Sequence, residues 1–310
     1  MRRIALATLL GCIGCFPAIR ERPIDVRPAL GANLPMLAPC ALVHFSDQED
    51  LSNGARGWFR GPWTIQYSTF LIRHPRGVIL IDAAFGDTAA ADLDAAPFYV
   101  RLALGHARAA RPLAALLAEV GVKPEDVTDV VLTHDHWDHT GGLTQLPNAR
   151  VIMSGADADW ILAQHDQLIG GAMPHHFDSV RTRIDRISFS GPPTDGFEHS
   201  ADLFGDGSFV AVPTPGHTRG ATSYFVNSGD GKRWLFIGDA AWTQEGFAEP
   251  VTKGRIAALA SDWDWQQTSD SLSLLHAVYA GHAASIVTAH DARTWADVPL
   301  CKPLASSTPR

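Results

Sequence analysis

The sequence predicts an α/β layered fold, and three observations predict it. Runs rich in β-branched and aromatic residues alternate with helical spacings along most of the chain, as in layered α/β proteins. The two halves echo each other. Ile79-Leu80-Ile81-Asp82 and Phe236-Ile237-Gly238-Asp239 are apolar runs ending in aspartate, while Val130-Val131-Leu132-Thr133-His134 and Ile286-Val287-Thr288-Ala289-His290 are apolar runs ending in histidine. Polar groups at strand ends, where chain leaves the core, are where such folds carry chemistry. Finally, 310 residues at 46% hydrophobic and 19% charged suffice to bury a sizeable core.

The first residues stand apart from that pattern. Met1-Arg2-Arg3, an apolar run from Ile4 to Phe16, Pro17 and the charged Arg20-Glu21-Arg22 read as a secretory signal. Residues 1–22 are therefore expected to form a leader and tether, and 23–310 one domain. Leu9-Leu10-Gly11-Cys12 resembles a bacterial lipobox, which implies a lipidated Cys12 attached to a membrane; an ordinary cleaved signal is the alternative. The expected location is periplasmic or membrane-anchored. Of four cysteines, Cys12 and Cys15 lie in the leader, leaving Cys40 and Cys301. Two cysteines in an oxidising compartment tend to pair, and this bridge would close a long loop worth about 4–5 kcal/mol in the chain-entropy treatment.

From Trp63 to Asp82 the residues read as a hairpin, Thr64–Ile72 and Val78–Asp82, turning at His74-Pro75-Arg76-Gly77. Arg111 to Val120 has apolar residues at helical spacing and stops at Gly121. Pro124 opens a helical turn before a buried strand, Val127 to Thr133. Ala149 to Met153 is a further strand, and Ser154 caps a helix through Gln164. Gly170 to Ser208 is irregular and rich in Gly, Pro and His, as expected of loops over a pocket. Strands return at Phe209–Val212, Thr222–Val226, Arg233–Asp239 and Ser285–Ala289, with a helix from Thr268 to Gly281.

A net charge of −8 argues against a nucleic-acid partner, which would need a basic face. The chemistry concentrates in Thr133-His134-Asp135-His136-Trp137-Asp138-His139, with three histidines and a metal-competent aspartate within six residues, placed directly after a buried strand. Imidazole and carboxylate suit zinc and its neighbours. His134 and His136 alternate on extended backbone and can share one ion; Asp138 and His139 follow where the chain turns and can reach a second. Gly141-Gly142 lets backbone crowd the site. No G-x-S-x-G nucleophile elbow is present.

That segment resembles the HxHxDH signature of the metallo-β-lactamase-fold hydrolases. The family's remaining elements occur in order: Asp82, His217 in Thr214-Pro215-Gly216-His217-Thr218, Asp239 in Gly238-Asp239-Ala240, and His290 before Asp291. The resemblance implies a four-layer αβ/βα sandwich. It implies that His134, His136 and His217 hold one divalent metal, most simply Zn2+, that Asp138, His139 and His290 hold a second, and that Asp239 bridges them. Asp82 is expected to orient ligands from behind. The implied reaction is attack by a metal-activated water, with Asp138 or Asp239 moving the proton.

The run from Asp239 to Phe247 is similar to the corresponding stretch of N-acyl-homoserine lactonases, which carry tyrosine where this chain has Trp242. Trp242 is therefore a candidate catalytic donor or a pocket wall. The reading is an exported lactone or cyclic-ester hydrolase acting on a small molecule. A β-lactam hydrolase, a thioester hydrolase of the glyoxalase II kind, and a non-catalytic metal-binding surface lipoprotein stand as alternatives. His175 and His176 are expected to be solvated, His282 to sit at a helix end, and Trp263, Trp265 and Trp295 to lie in the core.

Overall fold

Strands with apolar side chains on both faces need cover on both, and this chain supplies it with two sheets stacked between helices. The computed structural model describes residues 39–49, 63–98, 101, 107–108, 110–165, 170–254, 258–259 and 261–302. The leader reading of residues 1–22, with Cys12 and Cys15, lies outside them.

The first sheet orders its strands as the chain does: β1 (Cys40–Glu49), β2 (Trp63–His74), β3 (Gly77–Ile81), β4 (Val127–Val131), β5 (Arg150–Ser154) and β6 (Ile184–Ile187). β1 to β3 pair antiparallel and β3 to β6 parallel. The second sheet holds β7 (Ala201–Asp202), β8 (Phe209–Pro213), β9 (Thr222–Asn227), β10 (Arg233–Phe236) and β11 (Ser285–Val287), in the order β11-β10-β9-β8-β7. Only its β10–β11 pair is parallel. The helices are α1 (Ala89–Ala95), α2 (Leu113–Glu119), α3 (Trp137–Thr140), α4 (Gly155–Leu162), α5 (Gln244–Ala248) and α6 (Trp265–Ala280).

The period-two alternation of strands sorts residues between layers. Phe70, Ile79, Ile81, Val131 and Ile152 of the first sheet meet Phe209, Tyr224, Val226, Trp234 and Phe236 of the second in one buried cluster. Their neighbours Leu71, Leu80, Val130 and Val151 face the other way, onto Leu113, Leu116 and Leu117 of α2 and Ala158 and Ile161 of α4. Val212, Phe225 and Leu235 likewise meet Leu272, Leu275 and Val278 of α6. The result is the expected four layers, helix–sheet–sheet–helix. Each fully buried Leu, Ile or Phe contributes roughly 1.5–3 kcal/mol.

Two differences from the sequence reading have physical causes. β1 was not anticipated, yet it pairs with β2 along most of that strand's length. β6, with the sequence Ile-Asp-Arg-Ile, lies inside the segment expected to be irregular; three of its four residues are only half-buried, so it lacks an apolar run. Beside β1 the C-terminal tail adds backbone bonds, from Ala41 N–H to Pro299 O (2.9 Å) and from Cys301 N–H to Ala41 O (3.0 Å). A disulfide joins Cys40 to Cys301 there, with Cα atoms 4.9 Å apart. Among the described residues no helix is long and apolar enough to cross a membrane.

Candidate metal centre

β3 and β4 share one direction in the first sheet, and β8, β10 and β11 share one in the second, because β9 is antiparallel to both β8 and β10; the loops after these five strands gather at one edge of the sandwich. Asp82 follows β3, the His134–His139 segment follows β4, His217 follows β8, Asp239 follows β10 and His290 follows β11. Local backbone makes the convergence possible. His136 is still extended (φ −68°, ψ 154°) before α3 begins, so His134 and His136 share a face while Asp138 and His139 swing onto the helical turn. A Cβ on Gly141 would lie 2.6 Å from Gly86 N and 3.0 Å from Ala84 O, so only glycine lets α3 pack this closely on the loop after β3.

The structure brings together all seven residues expected to hold metal. His134, His136 and His217 form one group and Asp138, His139, Asp239 and His290 another, with ligand-competent atoms within 4.8 Å of one another in each. Asp239 lies between the two. Its Oδ1 is 3.2 Å from His139 Nε2 and 3.0 Å from His290 Nε2, and its Oδ2 is 3.4 Å from His217 Nε2. Asp138 Oδ2 is 3.6 Å from both His139 Nε2 and His290 Nε2. Except for Asp138, the seven are buried.

The outward bonds of the imidazoles decide what points inward. Thr133 Oγ1 donates to Asp82 Oδ2 (2.8 Å), so His134 Nδ1–H donates to Thr133 Oγ1 (3.0 Å). His139 Nδ1–H donates to Asp82 Oδ2 (2.8 Å), His217 Nδ1–H to Asp262 Oδ1 (2.8 Å) and His290 Nδ1–H to Gln66 O (2.6 Å). Each Nε2 lone pair is thus aimed at the cluster, as ligating histidines are set by their outer partners. His134, His139 and His217 Nε2 and Asp239 Oδ1 are buried without a hydrogen-bond partner. With their rings neutral, these residues turn imidazole lone pairs and carboxylate oxygens onto one buried point, a donor set that fits divalent metal.

Charge supports the same reading. Burial pushes His134 and His136 well below the ordinary imidazole range, and neighbouring imidazoles add to the effect, so both are neutral at pH 7. For His139 burial acts in the same direction, but Asp239, Asp138 and Asp82 outweigh it and hold the ring well above that range. His290 is raised against burial by Asp239 and Asp138. Burial would raise Asp239, yet His290 and His139 keep it well below the usual carboxylate range. The protons on His139 and His290 must leave when metal binds, so binding releases acid.

Asp82 sits where a second-rank partner was expected: it touches His139 and Thr133, with no direct contact to the inward atoms, and holds φ at +61°. Trp242 donates its indole N–H to Asp239 Oδ2 (2.8 Å), which ties its one donor to the carboxylate between the two groups. Two side chains without a sequence motif complete the surroundings. Lys253, buried, donates to Asp239 O (2.9 Å) and to Asp262 Oδ1 (2.7 Å), and Asp262 holds His217. Three expectations are corrected. His176 is fully buried because Thr140 and Asp92 bond both its nitrogens; Trp263 and Trp265 are 56% and 53% exposed, Trp263 lying under the Arg219 guanidinium. Trp295 is in the core, donating to Thr288 O, and His282 follows the end of α6.

Two stacked sheets flanked by helices, with histidines and aspartates gathered at one shared edge, define an αβ/βα sandwich built around a metal centre. The chain belongs to the metallo-beta-lactamase superfamily, whose sequence profile matches residues 63–282. It is 30% identical over 178 residues to the N-acyl homoserine lactonase AttM of Agrobacterium fabrum, covering 57% of this chain and 63% of that protein. The match thus spans less than two thirds of that relative's length. In three dimensions it resembles a Bacillus thuringiensis AiiA variant with N-decanoyl-L-homoserine bound at the active site (TM-score 0.63, 17% identity, 86% of this chain and 98% of that one). It also resembles AidC, a dizinc quorum-quenching lactonase (TM-score 0.58, 19% identity, 81% and 86%). At such identities the likeness shows the shared fold.

Proposed function

We propose that this chain is a dinuclear metal-dependent hydrolase that opens lactone rings, with N-acyl-homoserine lactones as the substrate class and two zinc ions as the metals. The observation that carries the reading is Asp239, whose carboxylate stands against both ligand groups, Oδ1 beside His139 and His290 and Oδ2 beside His290 and His217. The lactonase named among its relatives and the dizinc lactonase sharing its fold favour the same chemistry. When bound, two such ions supply an activated water and an electrophile for the carbonyl.

The chain's own residues do the rest. Asp239 fixes the spacing of the two groups, and Trp242 holds Asp239 in place. Lys253 and Asp262 fix His217, as Asp82 fixes His139. Asp138, half-buried and the most solvent-accessible of the seven, carries the proton between the ring-opened product and water. Export to an oxidising compartment belongs to the same proposal, supported by the signal-like residues 1–22 and by the Cys40–Cys301 disulfide.

The test is proton release during hydrolysis of a long-chain N-acyl-homoserine lactone by the zinc-loaded full chain, with a β-lactam and a thioester run beside it. Fast turnover of the lactone alone is expected. His136→Ala and Asp239→Ala should each abolish it while the protein still folds. Turnover of the β-lactam or thioester alone, or full activity in either variant, overturns the reading.

A further inference from the structure

Beside the seven-residue cluster lies a second group of metal-competent side chains. Asp92 on α1 faces His175 and His176, which share the helical turn Pro174–Phe177. Asp92 Oδ1 is 2.9 Å from His175 Nε2, and Oδ2 is 3.1 Å from His176 Nε2. The two imidazoles stand edge to face with centroids 4.6 Å apart. Asp92 and His176 are buried, whereas the His175 side chain is 41% exposed. A cavity of about 390 Å3 opens on the group, lined by Asp92, His175, Met173, Gln164 and Arg181 among others. None of the seven residues of the metal centre lines it.

The hydrogen bonds around His176 leave a contact that a neutral ring does not satisfy. Thr140 Oγ1 has one proton, and it goes to His136 O (3.0 Å). His176 Nδ1 must therefore be the donor to Thr140 Oγ1 (2.9 Å). In the neutral ring Nε2 is then a bare lone pair, and it faces a carboxylate oxygen that already accepts from Thr88 Oγ1 (2.8 Å). Two acceptors 3.1 Å apart in a buried place require a cation between or beside them. Separations of 2.9 and 3.1 Å match the edge of a tetrahedron around zinc, about 3.3 Å for metal–ligand bonds of about 2.0–2.1 Å.

We infer that Asp92, His175 and His176 bind a further divalent transition metal of the zinc type, with its remaining coordination position open to the cavity. The donor set, two imidazoles and one carboxylate, is the composition such ions take in sites that keep a position for water or ligand. Nothing in this inference depends on what the main centre hydrolyses. Its structural consequence is a link: the ion ties α1 to the Pro174–Phe177 turn, and His176 is bonded through Thr140 to the carbonyl of His136 in the main ligand loop. An ion here stiffens the backbone that carries His134 and His136.

The experiment is equilibrium dialysis of the full chain against zinc alone, with metal counted per protein in wild type, His175→Ala, Asp92→Asn and His136→Ala. His175 is exposed and outside the main centre, so its variant folds irrespective of the outcome. Wild type is expected to hold one zinc more than His175→Ala and one more than Asp92→Asn. Cobalt substitution should add a visible absorption component that His175→Ala lacks. Equal zinc content in wild type and both variants overturns the inference, leaving Asp92 as the ion-pair partner of two histidines. The His136→Ala arm reports on the main centre separately, so failure there and failure here are told apart.

Discussion

Trp242 and Asp262 each act on the metal cluster through a single atom, which makes them separable by substitution. Trp242 gives its only donor to Asp239, lies edge-on to His290 at 6.4 Å, and carries the Lys253 ammonium 4.9 Å from its ring centroid. Trp242→Phe keeps an aromatic wall and removes the donor. A hydrogen bond to a charged group contributes about 1.5–3 kcal/mol, so metal affinity measured against a chelator should fall by about 10–100-fold, the range typical of outer-shell changes. Unchanged affinity would reduce Trp242 to a wall. Asp262 is held down to about 2, burial working against Lys253 and His217, which outweigh it. Asp262→Asn should weaken metal at His217 by a similar factor, again read by chelator competition. The two residues differed in how visible they were beforehand. Trp242 stands three residues from Asp239 inside a recognisable run, whereas Lys253 and Asp262 meet His217 across 36 and 45 residues, a distance over which no spacing rule operates.

Elements whose local chemistry agreed with their packing were legible, and those that tertiary contacts impose were not. Val127–Val131 and Thr222–Asn227 are almost wholly buried, and their β-branched and aromatic residues mark them as strands. α6 starts three residues before the apolar spacing suggests, because Asp264 accepts from Gln266 N (2.9 Å) and Gln267 N (3.0 Å) and so caps it ahead of its first buried side chain, Thr268. A clamp between α5 and the turn Ala292–Thr294 shows what an unmarked contact does for the site. Arg293 Nη1 and Nη2 donate to the two oxygens of Glu245 (2.9 and 2.8 Å), and Asp291 Oδ2 accepts from Gln244 N (2.9 Å). These bonds tie the loop behind Trp242 to the loop behind His290. Burial would raise Glu245, but Arg293 outweighs it and lowers the carboxyl to about 2. A depressed carboxyl contributes stability above its unfolded value, about 4.5, and loses it as pH falls toward 2. The unfolding midpoint of wild type minus that of Glu245→Gln should therefore be constant above about pH 5 and shrink steadily below it. A difference independent of pH in that window would show that the pair contributes nothing through charge.

At the scale of the molecule, the echo between the two halves foretold the site edge, because aspartate and histidine at equivalent strand ends must meet when two sheets stack face to face. Closure of the chain was legible only as two cysteines at opposite ends; the strand they fasten was not, since it is held by pairing with β2 on one side and by a bridge from Ala41 to Leu300 of the tail on the other. Cys301 brings the tail alongside β1, and the disulfide spans a sequence separation of 261. In the chain-entropy treatment a loop of that length restricts the unfolded ensemble by about 5 kcal/mol, and measured gains run below such figures. For a protein of this size each kcal/mol moves the midpoint by roughly 2–4 °C, so Cys301→Ser should lower Tm by about 5–10 °C in differential scanning calorimetry. Its metal content should be unchanged, because neither cysteine is among the metal-competent groups. The same drop should follow reduction of the wild type, and reduction should add nothing to the variant. If Tm stays put, the Ala41–Pro299 and Ala41–Cys301 backbone bonds hold the tail unaided and the long loop costs less in the unfolded chain than its length implies.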